Sequence, residues 1–406
     1  MHRFCCIPRY ILAWSLLATP VHCLTARQHW YSSTVSSTAL NAIPKPIASK
    51  MSEINDLPWE PNRLYSATKD SVVRGIPQLA KDDDYAGAVQ QAWRNDVKER
   101  DENSVESESA PLVYVDEDGV QLYGHVVRRR GMVRDNKMDT SNATGEMDEL
   151  MPGIVFFHTG AGPQDVCLRW KADVLVTAAD VFPNGCVVLI ADILSDGIGW
   201  GWSSDRSRYN SVRTNVLGVS DKSEGVRVNL RKRIGAAMEA IKSVPGVDPS
   251  RLAALGWCLG GHSVLELARM QYPGLRCMVT YHGVFDGIPA PQNIKSASSD
   301  VSITSVGAEL ASKVSPAASN ILICNGNDDP FVPKAALQNA VDTMSSFGYR
   351  VRLVNYPGAR HGFTNPAQDF NPNAAFAFHE QAASESWRTT KGLLREHLQM
   401  EPIDGE

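Results

Sequence analysis

Between Gly153 and Gly358 the chain alternates two rhythms. Short, nearly unbroken apolar runs read as strands buried on both faces: GIVFFHTG (Gly153–Gly160), GCVVLIADI (Gly185–Ile193), RLAALGW (Arg251–Trp257), LRCMVTYHG (Leu275–Gly283), ILICNGNDD (Ile321–Asp329) and YRVRLVNYPG (Tyr349–Gly358). Between them, apolar residues fall at helical spacing over Lys171–Ala179, Arg227–Lys242, Val264–Gln271 and Lys334–Phe347. Strand and helix in alternation over this length predict an α/β fold, a mostly parallel central sheet with helices on both faces. Upstream, PLVYVDEDGVQLYGHVVRR (Pro111–Arg129) alternates apolar and polar residues on either side of an Asp-Gly pair, which predicts a β-hairpin.

The pattern weakens elsewhere. Gly131–Leu150 is a polar insertion, and Lys81–Glu108 is charged and poor in β-branched residues. Within the latter, Tyr85–Lys98 could form a helix and the flanks read as linker. At the start, MHRFCCIPRYILAWSLLATPVHC sets Arg3 and Arg9 around a proline and ahead of the apolar run Tyr10–Val21. That is the layout of a secretory signal, and the run is too short to span a bilayer. Leu24–Lys50 is rich in Ser, Thr and Ala, and the first acidic residue is Glu53. It reads either as the second part of an organelle address, of the kind that directs import into plastids of secondary origin, or as a disordered leader. The chain thus divides into a targeting presequence (1–50), an extension with a charged linker (51–110) and one catalytic-size domain (111–400).

Composition narrows the function. With 406 residues, 43% hydrophobic and 21% charged, the chain can bury a substantial core. A net charge of -5 and the lack of a basic stripe argue against nucleic-acid binding. Cys5, Cys6 and Cys23 lie in the presequence; Cys167, Cys186, Cys258, Cys277 and Cys324 are scattered, without a C-x-x-C pair or histidines at ligand spacing. Neither a disulfide scaffold nor a zinc site is expected, and no cofactor is implied. The odd number leaves at least one free thiol.

Cys258 is the one that stands out. It follows a predicted strand in the pattern G-x-C-x-G-G and opens a helix. A strand-to-helix turn this sharp exposes a nucleophile above the sheet, and glycines let the turn close. The helix start favours thiolate over thiol, and its free amides, Leu259 first, can receive an oxyanion. In open α/β sheets chemistry gathers at the carboxyl ends of the strands. Two further strands end in suitable residues there. NGNDDPFVP offers Asp328 and Asp329 as competing acids, and YPGARHGFTNP offers His361 as a base. Nucleophile, acid and base then follow one another in the order of the α/β-hydrolases.

GWCLGG, DDPFVP and RHGFTNP followed by FHEQAASESW resemble the dienelactone hydrolase family of the α/β-hydrolase superfamily, over roughly Pro111 to Leu398. The resemblance implies an α/β-hydrolase fold and a Cys-His-Asp triad that opens lactones and cleaves esters through a thioester. It implies Cys258 as nucleophile, His361 as base and Asp329, the residue directly before PFVP, as acid. Two departures stand out. Where the family's glutamate contacts the resting thiol, this chain has Thr159, followed by Gly160. Where the family's two arginines grip a substrate carboxylate, it has Asp196 and Asn365. Arg206, Arg208 and Arg213 either replace those arginines or are surface residues. The aromatic GWGW segment supplies Trp200 and Trp202 as pocket or lid residues beside Thr159, Gly160 and Leu259.

The leading expectation is therefore a hydrolase of neutral or larger carboxylic esters or lactones. Its alternatives are a catalytically silent α/β-hydrolase fold that binds an apolar ligand or a partner, and a redox-sensing thiol. Ester hydrolysis lost on Cys258→Ala separates the first from the other two.

Overall fold

The computed structural model describes residues 57–61, 106–131, 150–195, 197, 199–200, 207–218, 227–285 and 320–399. All of them belong to the compact unit Ile43–Glu406. The presequence, the expected helix at Tyr85–Lys98 and most of the polar insertion lie outside the described residues.

Nine strands form one sheet in the order β1-β2-β3-β5-β4-β6-β7-β8-β9. They are β1 (Glu60–Pro61), β2 (Ser107–Val115), β3 (Gln121–Arg129), β4 (Met151–Phe157), β5 (Val187–Ala191), β6 (Val247–Trp257), β7 (Leu275–Tyr281), β8 (Asn320–Gly326) and β9 (Arg350–Tyr356). From β5 to β9 all neighbours are parallel; β1, β2 and β3 add an antiparallel edge. The expected hairpin is β2–β3. Asp116 closes its turn by accepting the N–H groups of Asp118 and Val120, and Gly119 takes the left-handed φ of 77° that the turn needs. Strand β2 begins at Ser107, inside the stretch whose charges read as linker. Those charges pair across the strands, Glu108 with Arg128 at 2.6 Å and Glu106 with Arg130 at 2.5 Å.

The apolar runs lack alternation because both faces of the sheet are covered. Ile154 and Phe156 of β4 point into one core, and Val155 and Phe157 into the other. The helices α1 (Val166–Val176) and α6 (Glu380–Leu398) cover the first face with Leu168, Ala172, Leu175, Leu394 and Leu398. The second face is covered by α3 (Val228–Lys242), α4 (Gly260–Arg269) and α5 (Lys334–Ser346) with residues such as Ile234, Val264 and Leu337. A short α2 (Ser207–Asn215) lies between β5 and α3 in the chain. Helix α1 starts five residues before the apolar spacing suggests, because Asp165 caps it on the amide of Cys167. This is the mostly parallel, helix-covered α/β-hydrolase architecture. Among the described residues, no helix is long and apolar enough to cross a membrane.

Candidate active site

Strand β6 ends at Trp257 and α4 begins at Gly260, so Cys258 sits in the bend between them. Its φ is 51°, a left-handed value that costs a non-glycine residue about 1–3 kcal/mol. The flanking glycines make that bend possible. A Cβ on Gly256 would stand 2.3 Å from the carbonyl oxygen of Gly260, and one on Gly260 would stand 2.2 Å from that of Phe157. One on Gly261 would meet the Cα of Gly283 at 2.7 Å. Strand, elbow and helix are therefore packed backbone against backbone. The elbow is pinned as well: the Cys258 amide donates to the Tyr281 carbonyl at 3.1 Å, and the Cys258 carbonyl accepts from Gly261 and Val284, each at 3.0 Å.

His361 lies in the loop after β9. Its Nε2 is 3.0 Å from Cys258 Sγ and its Nδ1 is 2.7 Å from Asp329 Oδ2. The other oxygen of Asp329 accepts the Phe331 amide at 2.9 Å, which fixes the carboxylate. Spacing alone left two neighbouring acids in contention, and the family resemblance pointed to Asp329. Asp329 is buried against the imidazole; Asp328 is exposed, and its amide is tied to the Ala359 carbonyl. Burial pulls the His361 pKa down, but the charge of Cys258, the Asp329 hydrogen bond and the Asp329 carboxylate outweigh it and hold the value at about 10.

Three rings surround this imidazole edge to face: His282 at 4.9 Å, Phe331 at 5.0 Å and Phe376 at 5.1 Å between centroids. His282 comes directly after β7, is fully buried and also has a left-handed φ, 39°. Its Nε2 meets the Thr364 hydroxyl at 3.3 Å. Burial and the neighbouring His361 push its pKa well below 6.5, so it is neutral. Sequence reasoning passed over these three side chains. The rule that exposed Cys258, Asp329 and His361, inspecting the residues just past each strand end, applies equally to His282 after β7 and to Phe331 after β8.

The expected oxyanion donor is the Leu259 amide, and the loop after β4 adds that of Gly160 as a second candidate. Neither Leu259 N–H nor Gly160 N–H donates to another described residue, so both are available. The Thr159 hydroxyl is engaged within its own loop, accepting the Ala161 amide at 3.0 Å and donating to Asp165 at 3.2 Å. Trp200 closes over this loop. Its amide donates to the Gly160 carbonyl at 2.7 Å, and a Cβ on Gly160 would lie 2.6 Å from its indole. Tyr209 of α2 meets Trp200 edge-on at 6.1 Å, which brings the helix carrying Arg208 and Arg213 up to that indole. Buried Asp192 secures the approach to Trp200, its carboxylate accepting the amides of Tyr123, Leu194, Ser195 and Gly197. Asn365 caps a 3-10 turn at Pro366–Phe370 through the Ala367 amide. Trp202, Asp196 and Arg206 lie outside the described residues. Among the described residues, no group of His, Cys, Asp and Glu is gathered as a metal site needs.

A polarisable nucleophile, a base bonded to it and a buried acid behind the base are the arrangement used for acyl transfer. The family model described as "Dienelactone hydrolase family" matches residues 140–398. Among curated proteins, an uncharacterized protein of Caenorhabditis elegans is 27% identical over 170 residues, 41% of this chain and 93% of its own. A Bradyrhizobium protein named "Probable 2-oxo-3-(5-oxofuran-2-ylidene)propanoate lactonase" is 26% identical over 221 residues, 54% of this chain and 77% of its own. Among solved structures, a dienelactone hydrolase-like promiscuous phosphotriesterase from metagenomic libraries is 24% identical, with a TM-score of 0.52 over 72% of this chain and 98% of its own. That last likeness is one of fold.

Proposed function

This chain belongs to the dienelactone hydrolase family, and we propose that it is a cysteine-dependent hydrolase of carboxylic esters and lactones. The observation that supports this most is the unbroken line Cys258 Sγ, His361, Asp329, with contacts of 3.0 and 2.7 Å. In the proposed cycle the Cys258 thiolate adds to the carbonyl carbon. The carbonyl electron pair moves to oxygen, which the Leu259 and Gly160 amides receive. Collapse expels the alcohol oxygen, which takes the proton from His361 Nε2, and leaves an acyl thioester on Sγ. Two of the influences that hold the His361 proton, the sulfur charge and its hydrogen bond, are then gone. The imidazole can now take a proton from water as the water oxygen adds to the thioester. The second collapse releases the acid and returns thiolate beside imidazolium. Thr159 takes no part; the pairing of Cys258 with His361 replaces the family's glutamate.

The test is to trap the intermediate. An ester that acylates quickly and hydrolyses slowly should add one acyl mass to the protein, located on the Cys258 peptide and removed by hydroxylamine. Cys258→Ala should carry none. An adduct on any other residue, or turnover that survives Cys258→Ala, sinks the mechanism.

The substrate is proposed to be neutral. A carboxylate entering an apolar site loses hydration worth several kcal/mol unless a charge-assisted partner replaces it. Asn365 stands where the family has one of its arginines, and it is spent as a helix cap. Trp200 offers a neutral acyl group apolar contact instead. An uncharged ester should exceed a dienelactone carboxylate of similar leaving group by about tenfold or more in kcat/KM. If the anion wins, another cation lines the site. The leader Met1–Lys50 is proposed to carry the enzyme into the secretory route, either for secretion or for a plastid of secondary origin.

A further inference from the structure

We propose that Phe331 and Phe376 form a leaving-group wall beside His361 that selects esters of apolar, above all aromatic, alcohols. The inference rests on the catalytic reading above and adds to it a side of the site that the triad does not define.

In acylation the proton on His361 Nε2 goes to the departing alcohol oxygen. General acid transfer needs that oxygen within about 3 Å of Nε2. Whatever the acyl group does, the first carbons of the alcohol must therefore lie close to the Nε2 edge of His361. Among the described residues three rings meet the imidazole, at 4.9 to 5.1 Å. His282 is fully buried and has no surface to offer. Phe331 and Phe376 are half-buried, and neither packs against either hydrophobic core. Their rings meet His361 and each other, the two phenyl centroids 5.3 Å apart and the planes tilted by 48°.

Both phenylalanines stand on irregular chain, where a half-exposed position costs nothing to fill with a polar residue. They come from different parts of the sequence and converge on one imidazole. Phe331 lies two residues beyond the acid Asp329, whose carboxylate holds its amide. Phe376 is held by the chain on either side of it: the Ala375 carbonyl accepts the His361 amide at 3.2 Å, and the Ala377 amide donates to the His361 carbonyl at 3.3 Å. The wall thus keeps its register with the group that delivers the proton. Two tilted aromatic faces suit an apolar ring, by offset or edge-on contact, and offer a small alcohol little.

The experiment compares benzyl acetate with methyl acetate. The two alcohols are of nearly equal acidity, and both esters give the same acetyl thioester, so deacylation is common and kcat/KM reads acylation alone. The wild-type chain should prefer the benzyl ester by about tenfold or more. Phe331→Leu and Phe376→Leu, which keep most of the volume and remove the ring, should each cut that ratio several-fold, mainly through KM; Phe376→Ala should cut it further. No preference in the wild type, or equal losses on both esters with the ratio intact, overturns the wall, because rings that merely position His361 would slow both alike. If neither ester turns over and no acetyl adduct forms on Cys258, the catalytic reading has failed and the wall fails with it. Preference and adduct in the wild type, with the ratio unmoved by every variant, overturn the wall alone.

Discussion

His361→Ala is expected to lower kcat/KM on a neutral ester by roughly 10⁴- to 10⁶-fold, the scale of loss when a triad histidine is removed. Asp329→Asn should cost somewhat less, and Asp328→Asn should stay within about twofold. The physical difference between the two acids is their setting. Asp329 is buried, bonded to His361 Nδ1 at 2.7 Å and to the Phe331 amide, so it fixes both the rotamer and the charge of the imidazole. Asp328 is exposed one residue away, where solvent screens its charge. Asparagine at 329 keeps the shape and loses the charge that helps hold the His361 pKa near 10. It should therefore also slow alkylation of Cys258 at neutral pH, because the imidazole bonded to the sulfur then holds its proton less firmly. Turnover, alkylation rate and thermal melting on the same three variants decide the matter. A silent Asp329→Asn beside a damaging Asp328→Asn would transfer the acid role to the exposed residue. Alanine at 361 leaves the buried Asp329 carboxylate without its imidazole, so that variant alone should also melt lower.

The parallel sheet was legible because a strand covered on both faces leaves an unbroken apolar run, and these runs are separated by helical spacing. The line Cys258, His361, Asp329 was legible as a candidate because its residues each stand just past such a run. What escaped has a physical cause in each case. Strand β2 begins at Ser107, but Glu106 and Glu108 look like solvated linker until Arg128 and Arg130 stand opposite them. Nothing local distinguishes a paired charge from a free one. Spacing could not choose between Asp328 and Asp329; the family motif pointed to Asp329, and the turn gives the physical reason by burying it and exposing Asp328. Thr159 stands where the family's glutamate contacts the resting thiol. The structure instead spends that hydroxyl on its own loop and puts His361 directly on the sulfur. Phe376 reached the site through a backbone bridge to His361, and such a bridge leaves no mark in the sequence.

The elbow yields the prediction with the greatest structural effect, and it runs against helix propensity. Gly260 is the first residue of α4, where alanine would ordinarily gain up to about 1 kcal/mol over glycine. Here the added Cβ would lie 2.2 Å from the Phe157 carbonyl oxygen, 2.7 Å from its carbon and 2.9 Å from the Phe157 Cβ. Two of those three atoms are backbone at the end of β4, held in register with Gly256 of β6 by the parallel pairing. They have no rotamer to give way. The helix start must then move off the sheet, at the upper end of the ~1–3 kcal/mol typical of overpacking or beyond it. The amide of Leu259 and the sulfur of Cys258 move with it. A displacement near 1 Å at reacting atoms costs about a hundredfold in rate, so Gly260→Ala should lose at least that much activity even where it folds. Gly392, within α6, supplies the control. Nothing stands within 4 Å of its would-be Cβ, and alanine there should stabilise by about 0.5–1 kcal/mol and leave turnover unchanged. Melting temperature and kcat/KM on the two variants read both effects. A Gly260→Ala protein that melts and turns over like Gly392→Ala would mean that the close approach of α4 to β4 is not what holds Cys258 in place.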